Sequence, residues 1–190
     1  DFDVTIYRDR FGVPHIIGKK DKDTAYGLAY AHAEDDFETI QDMMLFARGK
    51  LASKKGRKMA SSDYLLQLLK VWEVVNANYD SNISAETKSI LNGYAAGLNH
   101  YALKNPKMTY RGLFPVTAKD IVAGFVHRMP LMFGLDDAIK NATEKGNSEF
   151  AFLNYNTKGF DQNVLGSNQI AVAPSRSADG YTRLAINPHQ

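Results

Sequence analysis

The stretch GSNQIAVAPSRSADGYTRLAINPH, residues 166–189, decides how this chain is read. Ser167–Pro174 and Tyr181–Asn187 are short and apolar, and the Ser175–Gly180 segment between them has turn chemistry ending in Asp-Gly. The pattern predicts a β-hairpin. Opposed residues of an antiparallel pair have a constant sum of numbers. A turn centred near Ala178 therefore sets Ser167 opposite His189, to within the one or two residues that turn type decides. A serine beside a histidine is a nucleophile with a base or orienting partner. Two ordinary polar residues at strand ends are the plainer alternative, and spacing alone leaves both open. A lone hairpin is marginal in water. The chain stops at Asn187-Pro188-His189-Gln190, straight after a strand, so the expectation is a piece of something larger.

Upstream the pattern is mostly helical. Residues 3–8 alternate as a strand, Gly12-Val13-Pro14 turns the chain, and His15-Ile16-Ile17 supplies a partner strand. Asp21 or Asp23 caps a helix reaching about Arg48, with Leu28, Ala29, Ala33, Phe37, Ile40, Met44 and Ala47 near helical spacing. A second helix is expected over 62–79, with Leu65, Leu68, Leu69, Trp72 and Val75 on one stripe. A third runs from a Ser84 cap to Lys104, where Gly93 and Gly97 are costly unless another backbone packs close. Thr117 caps a fourth, carrying Ile121, Val122, Phe125 and Val126, which Pro130 kinks or ends. A short helix at 136–145 and a polar loop at 146–166 follow, and no repeat or low-complexity tract occurs. The fold class is α+β, mainly helical with short strands.

Composition narrows the chemistry. With 44% hydrophobic and 23% charged residues over 190 positions, the chain buries a core. A net charge of +2 gives no reason to expect nucleic acid or an anionic membrane as partner. The absence of cysteine excludes disulfides, thiolate metal sites and a cysteine nucleophile. No apolar run is long enough to span a membrane. The opening at Asp1, without Met or an apolar leader, reads as a processed start. There is no phosphate loop and no His-Glu-x-x-His, and Leu165 and Gln169 stand where a Gly-x-Ser-x-Gly elbow needs glycine. His15, His32, His100, His127 and His189 do not pair at metal spacing and read as packing or surface residues. Glu34, Asp35 and Asp36 read as a solvated face. The basic run Arg48, Lys50, Lys54, Lys55, Arg57 and Lys58 reads as a solvated loop, with no aromatic interleaved for nucleic acid.

Several stretches, in order along the chain, resemble the penicillin amidase (penicillin acylase) family of N-terminal nucleophile hydrolases. Arg8-Asp9-Arg10-Phe11-Gly12-Val13-Pro14-His15-Ile16 resembles its opening, Gly27–Asp35 its first helix and Arg48-Gly49-Lys50-Leu51-Ala52 the continuation. Asp36-Phe37 departs from it, since an Arg commonly follows the Asp there. Gly166-Ser167-Asn168, then Ala173–Gly180 and Asn187-Pro188-His189, resemble the processing junction and the start of the catalytic β chain.

The resemblance implies an αββα fold in the complete protein. Residues 1–153 are then α chain, 154–166 a spacer or processing loop, and 167–190 the first, truncated β-chain hairpin. It implies self-cleavage between Gly166 and Ser167, after which Ser167 supplies both nucleophile and base. His189 orients the nucleophile; the acyl-homoserine-lactone and cephalosporin acylase branch carries His there and the penicillin G branch Gln. The implied substrates are small acyl amides, N-acyl homoserine lactones or related aliphatic amides, with β-lactams the alternative. A non-catalytic helical binding module is the alternative of another class. Met132 and Phe133 fall near the acyl pocket, and Glu149 in Asn147-Ser148-Glu149 near a structural calcium ligand. No cofactor is implied for catalysis. The other partner is the rest of the β chain, which holds the oxyanion donors, so this chain alone is expected to be inactive. The implied location is the periplasm.

Overall fold

In the computed structural model, which describes residues 1–135 and 168–187, the N-terminal alternation becomes strands β1 (Val4–Arg8) and β2 (Pro14–Gly18). They pair antiparallel, with Val4 opposite Gly18 and Tyr7 opposite His15. Gly12 closes the turn at φ +83°, a left-handed value that a side chain opposes.

Helix α1 (Asp21–Ala47) lies between this hairpin and helix α5 (Ala85–Lys104), and both neighbours come close because α1 is lined with small residues. Ala25, Gly27, Ala29, Ala31 and Ala33 are all buried. On one side, a methyl built at Gly27 would sit 2.7 Å from Val4 Cγ2 and from Ile16 Cγ2. On the other, methyls at Gly93 and Gly97 of α5 would sit 2.2 Å from the Lys22 and Tyr26 carbonyl oxygens. The two glycines are thus where the backbones of α1 and α5 meet, as their place inside a helical stripe suggested. Ser84 caps α5, its Oγ accepting the Thr87 N–H at 3.1 Å. At the start of α1 the Asp23 carboxylate accepts the Lys20 N–H at 3.1 Å.

α1 is bent. Asp36 leaves helical geometry at φ −152°, ψ 71°, and its Oδ1 accepts the Thr39 N–H at 3.1 Å. The side chain caps the second half of the helix from within. Phe37, one residue on, is buried against Tyr101 and Phe114.

The single helix expected over 62–79 is two, α3 (Ala60–Leu68) and α4 (Val71–Asn82). Lys70 separates them in left-handed geometry at φ 51°. The turn α2 (Ala52–Lys55) precedes them and α6 (Ala118–Pro130) follows α5. Ala47, Leu66, Val71, Val75 and Ala123 form a core where α1, α3, α4 and α6 meet, and Trp72 Nε1 donates to the Ala47 carbonyl at 2.9 Å. Three positions on the expected apolar stripes face solvent instead: Leu28, Leu68 and Phe125. At α6 the reason is that the inward positions are the small or polar Ala118, Asp120, Ala123 and His127.

The expected helix at 136–145 and loop at 146–166 lie outside the described residues. Chain contacts divide the molecule into Asp1–Phe152 and Leu153–Gln190. The second unit holds β3 (Asn168–Val172) and β4 (Arg183–Asn187), paired antiparallel. The described fold is α+β and mainly helical. Among the described residues no helix is long and apolar enough to cross a membrane.

Candidate functional site

Gly166, Ser167, His189 and Glu149 all lie outside the described residues. β3 starts at Asn168, immediately after Ser167, and β4 ends at Asn187, two residues before His189. Asn168 pairs with Asn187, where a turn centred on Ala178 would have paired it with Pro188. The register is one residue tighter than that estimate and inside its stated latitude. The connection explains the offset. Pro174–Arg176 form a 3₁₀ turn, and a second turn follows in which the Gly180 N–H reaches the Ser177 carbonyl at 3.2 Å, with Gly180 at φ +74°. Asp179 Oδ1 accepts from the Ser177 hydroxyl at 2.5 Å and from the Tyr181 N–H at 3.3 Å.

Met132 and Phe133 follow α6 in a π-type turn, Leu131–Leu135, that begins where Pro130 ends the helix. Both are exposed, Met132 by 49% and Phe133 by 79%. Phe125 and Met129 of α6 are exposed as well.

The base of α6 is fixed by Arg48. Its guanidinium donates to Asp120 through Nε at 2.6 Å and Nη2 at 3.0 Å, and to the Leu113 and Pro115 carbonyls at 2.6 and 3.0 Å. Asp120 also accepts the Thr117 N–H and hydroxyl at 2.7 and 2.8 Å. Burial works to raise the Asp120 pKa, but Arg48 and Thr117 reverse it, and the carboxyl ends below its ordinary range. Arg48 is therefore an internal clamp rather than part of a solvated loop. Lys55 is likewise committed, to Asp42 at 2.7 Å and Glu38 at 2.9 Å, and Lys54 lies 4.2 Å over the Tyr110 ring. Burial and Asp42 push the Tyr110 phenol up to about 12.

His127, on the inner face of α6, is fully buried and stacked on Phe46 with ring centroids 4.0 Å apart. Neither ring nitrogen has a well-formed hydrogen bond among the described residues. Burial pushes its pKa down to about 4, against a small opposing pull from the Phe46 carbonyl, so the ring is neutral. Sequence reasoning missed Arg48, Asp36 and His127 as individual residues. The sole available signal for His127 was a polar residue on the α6 stripe beside Ala123.

The remaining described histidines are each paired, two of them across the α1–α5 interface. Tyr26 hydrogen-bonds His100, and His32 Nδ1 lies 3.1 Å from the Tyr94 hydroxyl, one pair being the reverse of the other across α1 and α5. His15 faces Asp9 at 3.3 Å. Glu34 and Asp35 are not a plain solvated face: Arg8 of β1 reaches them at 3.1 and 2.8 Å and holds the hairpin to α1. Among the described residues no group of His, Asp and Glu could hold a metal ion.

Comparison with known proteins adds what the flanks do not. The family model for penicillin amidase matches residues 3–190. The acyl-homoserine lactone acylase PvdQ of Pseudomonas fluorescens (strain Pf0-1) is 26% identical over 210 residues, covering 97% of this chain and 26% of that protein. PvdQ of Pseudomonas putida is 26% identical over 212 residues, covering 100% of this chain and 27% of its own. The penicillin acylase 2 proenzyme of Pseudomonas sp. (strain SE83) is 30% identical over 98 residues, covering 52% of this chain and 12% of its own. A solved structure, thermostable penicillin G acylase from Alcaligenes faecalis, superposes with a TM-score of 0.55 at 21% identity, covering 78% of this chain and 86% of that one. At that identity the likeness speaks for the fold. The chain spans about a quarter of the length of the PvdQ relatives.

Proposed function

Because the chain belongs to the penicillin amidase family, we propose that it is the α-chain region and first β-chain hairpin of an acylase that hydrolyses linear amides of N-acyl compounds. The observation that carries the reading is that the family match spans residues 3–190 and so takes in Gly166-Ser167 together with the β3–β4 hairpin. The proposed division is α chain to residue 153, a spacer at 154–166 and β chain from Ser167. The proposed location is the periplasm.

Maturation follows from the residue types. The Ser167 hydroxyl attacks the Gly166 carbonyl carbon, the peptide C–N bond breaks as the C–O ester forms, and water hydrolyses the ester. Glycine suits the preceding position because it lacks a Cβ to obstruct attack and tolerates strained dihedrals. The cut frees the Ser167 α-amine. Such amines have reference pKa values of about 7.7–8.0, low enough to accept a proton near neutral pH. The amine takes the hydroxyl proton as the oxygen attacks the substrate amide. It then gives the proton to the departing nitrogen, and water clears the acyl-enzyme. His189 orients the nucleophile. The oxyanion donors, worth about 2.7–4 kcal/mol each, belong to polypeptide beyond Gln190. Exposed, apolar Met132 and Phe133 suit contact with an acyl chain. Glu149 offers a carboxylate to a structural calcium, with its other ligands elsewhere.

N-acyl homoserine lactones are the favoured substrates, supported by His189 and by the two PvdQ relatives that cover nearly all of the chain. The β-lactam alternative is supported by the penicillin acylase 2 relative over half of it. A panel of acyl-homoserine lactones against penicillins and cephalosporins decides between them. Acylase and helical binding module are separated by self-cleavage. The longer polypeptide should yield a new N-terminus at Ser167, and Ser167→Ala should leave it intact. An uncut, fully active wild type would overturn the mechanism.

A further inference from the structure

Between the tip of the β1–β2 hairpin and the facing sides of α1 and α5 lies an open groove of about 610 Å³, lined by Arg8, Tyr30, Glu34, Asp35, Tyr101 and Asn105, with Gly12 at its rim. Its polar atoms are unevenly used. The Arg8 guanidinium is spent: it donates to the Gly12 carbonyl at 2.8 Å, to the Ala31 carbonyl at 3.4 Å, to Glu34 Oε2 at 3.1 Å and to Asp35. The Asn105 amide nitrogen commits one of its two N–H groups to the Tyr101 carbonyl at 3.0 Å. What remains is rich in acceptors. Among the described residues Glu34 Oε1, Asn105 Oδ1 and the hydroxyls of Tyr30 and Tyr101 have no hydrogen-bond partner.

Tyr101 makes this more than a surface pair of carboxylates. Its side chain is packed in the core, with the residue only 8% exposed, yet it lines the groove. Its ring is fixed by Phe37 at 4.9 Å and by Tyr30 at 5.3 Å, both edge-on. The phenol pKa is raised first by burial and then by the Glu34 charge. A mostly buried ring whose unpaired hydroxyl belongs to the same groove lining as the Glu34 carboxylate is a prepared acceptor site.

We infer that this groove binds a guanidinium or alkylammonium group, held by Glu34 Oε1, Asn105 Oδ1 and the Tyr101 hydroxyl. The lining carries two carboxylates to one arginine, so it rejects anions, and its free atoms ask for several N–H donors at once. The inference is independent of the acylase reading. The cation has two sources: a free amine, or a basic side chain from a longer form of the polypeptide.

The test titrates the 190-residue chain with agmatine, which carries both cationic groups, and with neutral n-butylurea, following amide shifts by NMR. Agmatine should move the signals of Tyr30, Tyr101 and Asn105, less so at high ionic strength, and butylurea should not. Glu34→Gln should weaken binding about tenfold, as befits one charge-assisted hydrogen bond. Tyr101→Phe should weaken it severalfold; if that variant fails to fold, Glu34→Gln carries the test, since Arg8 keeps Asp35. Binding to the 190-residue chain but not to the longer polypeptide supports a side chain of the protein as occupant, and binding to both supports a free amine. No binding to the 190-residue chain, equal binding of butylurea, or binding untouched by Glu34→Gln overturns the proposal.

Discussion

At the scale of single residues the molecule sets two buried features against each other, and they respond differently to substitution. Gly97 meets the Tyr26 carbonyl so closely that an added methyl would lie 2.2 Å from that oxygen. Gly97→Ala gains helix propensity of about 1 kcal/mol but forces two backbones apart. A net loss of about 1–3 kcal/mol is expected from overpacking, read as a lower urea midpoint with unchanged slope. His127 responds to pH instead. Its folded pKa is pushed down to about 4, against about 6.5 for an unperturbed histidine. Between those values the unfolded chain binds the proton and the folded chain does not. Stability from this group is therefore complete above about pH 6.5 and is lost as pH falls toward 4, at up to about 1.4 kcal/mol per pH unit. His127→Leu should flatten that part of the stability profile; an unchanged slope between wild type and variant would refute it. The glycines were legible in the sequence because a glycine inside a helical stripe has few reasons to be there other than close approach. His127 was not, because a lone histidine carries no sign of which way its helix turns it.

At the scale of elements, the strands and the capped helices could be read, and the interruptions could not. Ser84 and Thr117 announced α5 and α6 because their caps are local chemistry. Lys70 and Asp36 break helices in the middle of favourable spacing: nothing in Leu-Leu-Lys-Val forbids a continuous helix, yet Lys70 turns left-handed at φ 51°. Asp36 offsets part of the cost by capping Thr39, whose hydroxyl first and N–H second hold the carboxyl below its ordinary range. Asp36→Ala should cost about 1 kcal/mol, with hydrogen exchange rising at residues 37–40 and staying level at 25–33. The Arg48–Asp120 clamp is worth more because Asp120 is buried. Arg48→Ala leaves a carboxylate without its cation and should cost about 3 kcal/mol. Adding Asp120→Asn should recover part of that, since the two act as one unit. Strict additivity in the double variant would show that Arg48 contributes by packing alone. The basic run misled because charge spacing shows where cations cluster but not what a distant helix offers them.

At the scale of the whole molecule, the family was legible while the catalytic centre was not, for a physical reason. The short stretches that carry the resemblance each serve a local need in this chain: Gly12 a left-handed turn, Arg8 its two carboxylates, Arg48 the α6 clamp. A nucleophile needs partners far away in sequence, and the chain spans about a quarter of the length of its PvdQ relatives. On the proposed reading the oxyanion donors are supplied by the rest of the β chain, and loss of even one costs about 10²–10³ in turnover, so turnover by the 190-residue chain should fall below detection. The 190-residue chain is thus expected to release no homoserine lactone from N-acyl homoserine lactones, whereas the longer polypeptide cut at Ser167 should do so. In that mature form kcat/KM should rise as the Ser167 α-amine loses its proton, through about pH 7.7–8.0 if the site leaves its pKa near the reference value. Acetylating the amine should abolish turnover while leaving the fold intact by circular dichroism. Activity that survives acetylation would move the base to another residue, with His189 the first to test.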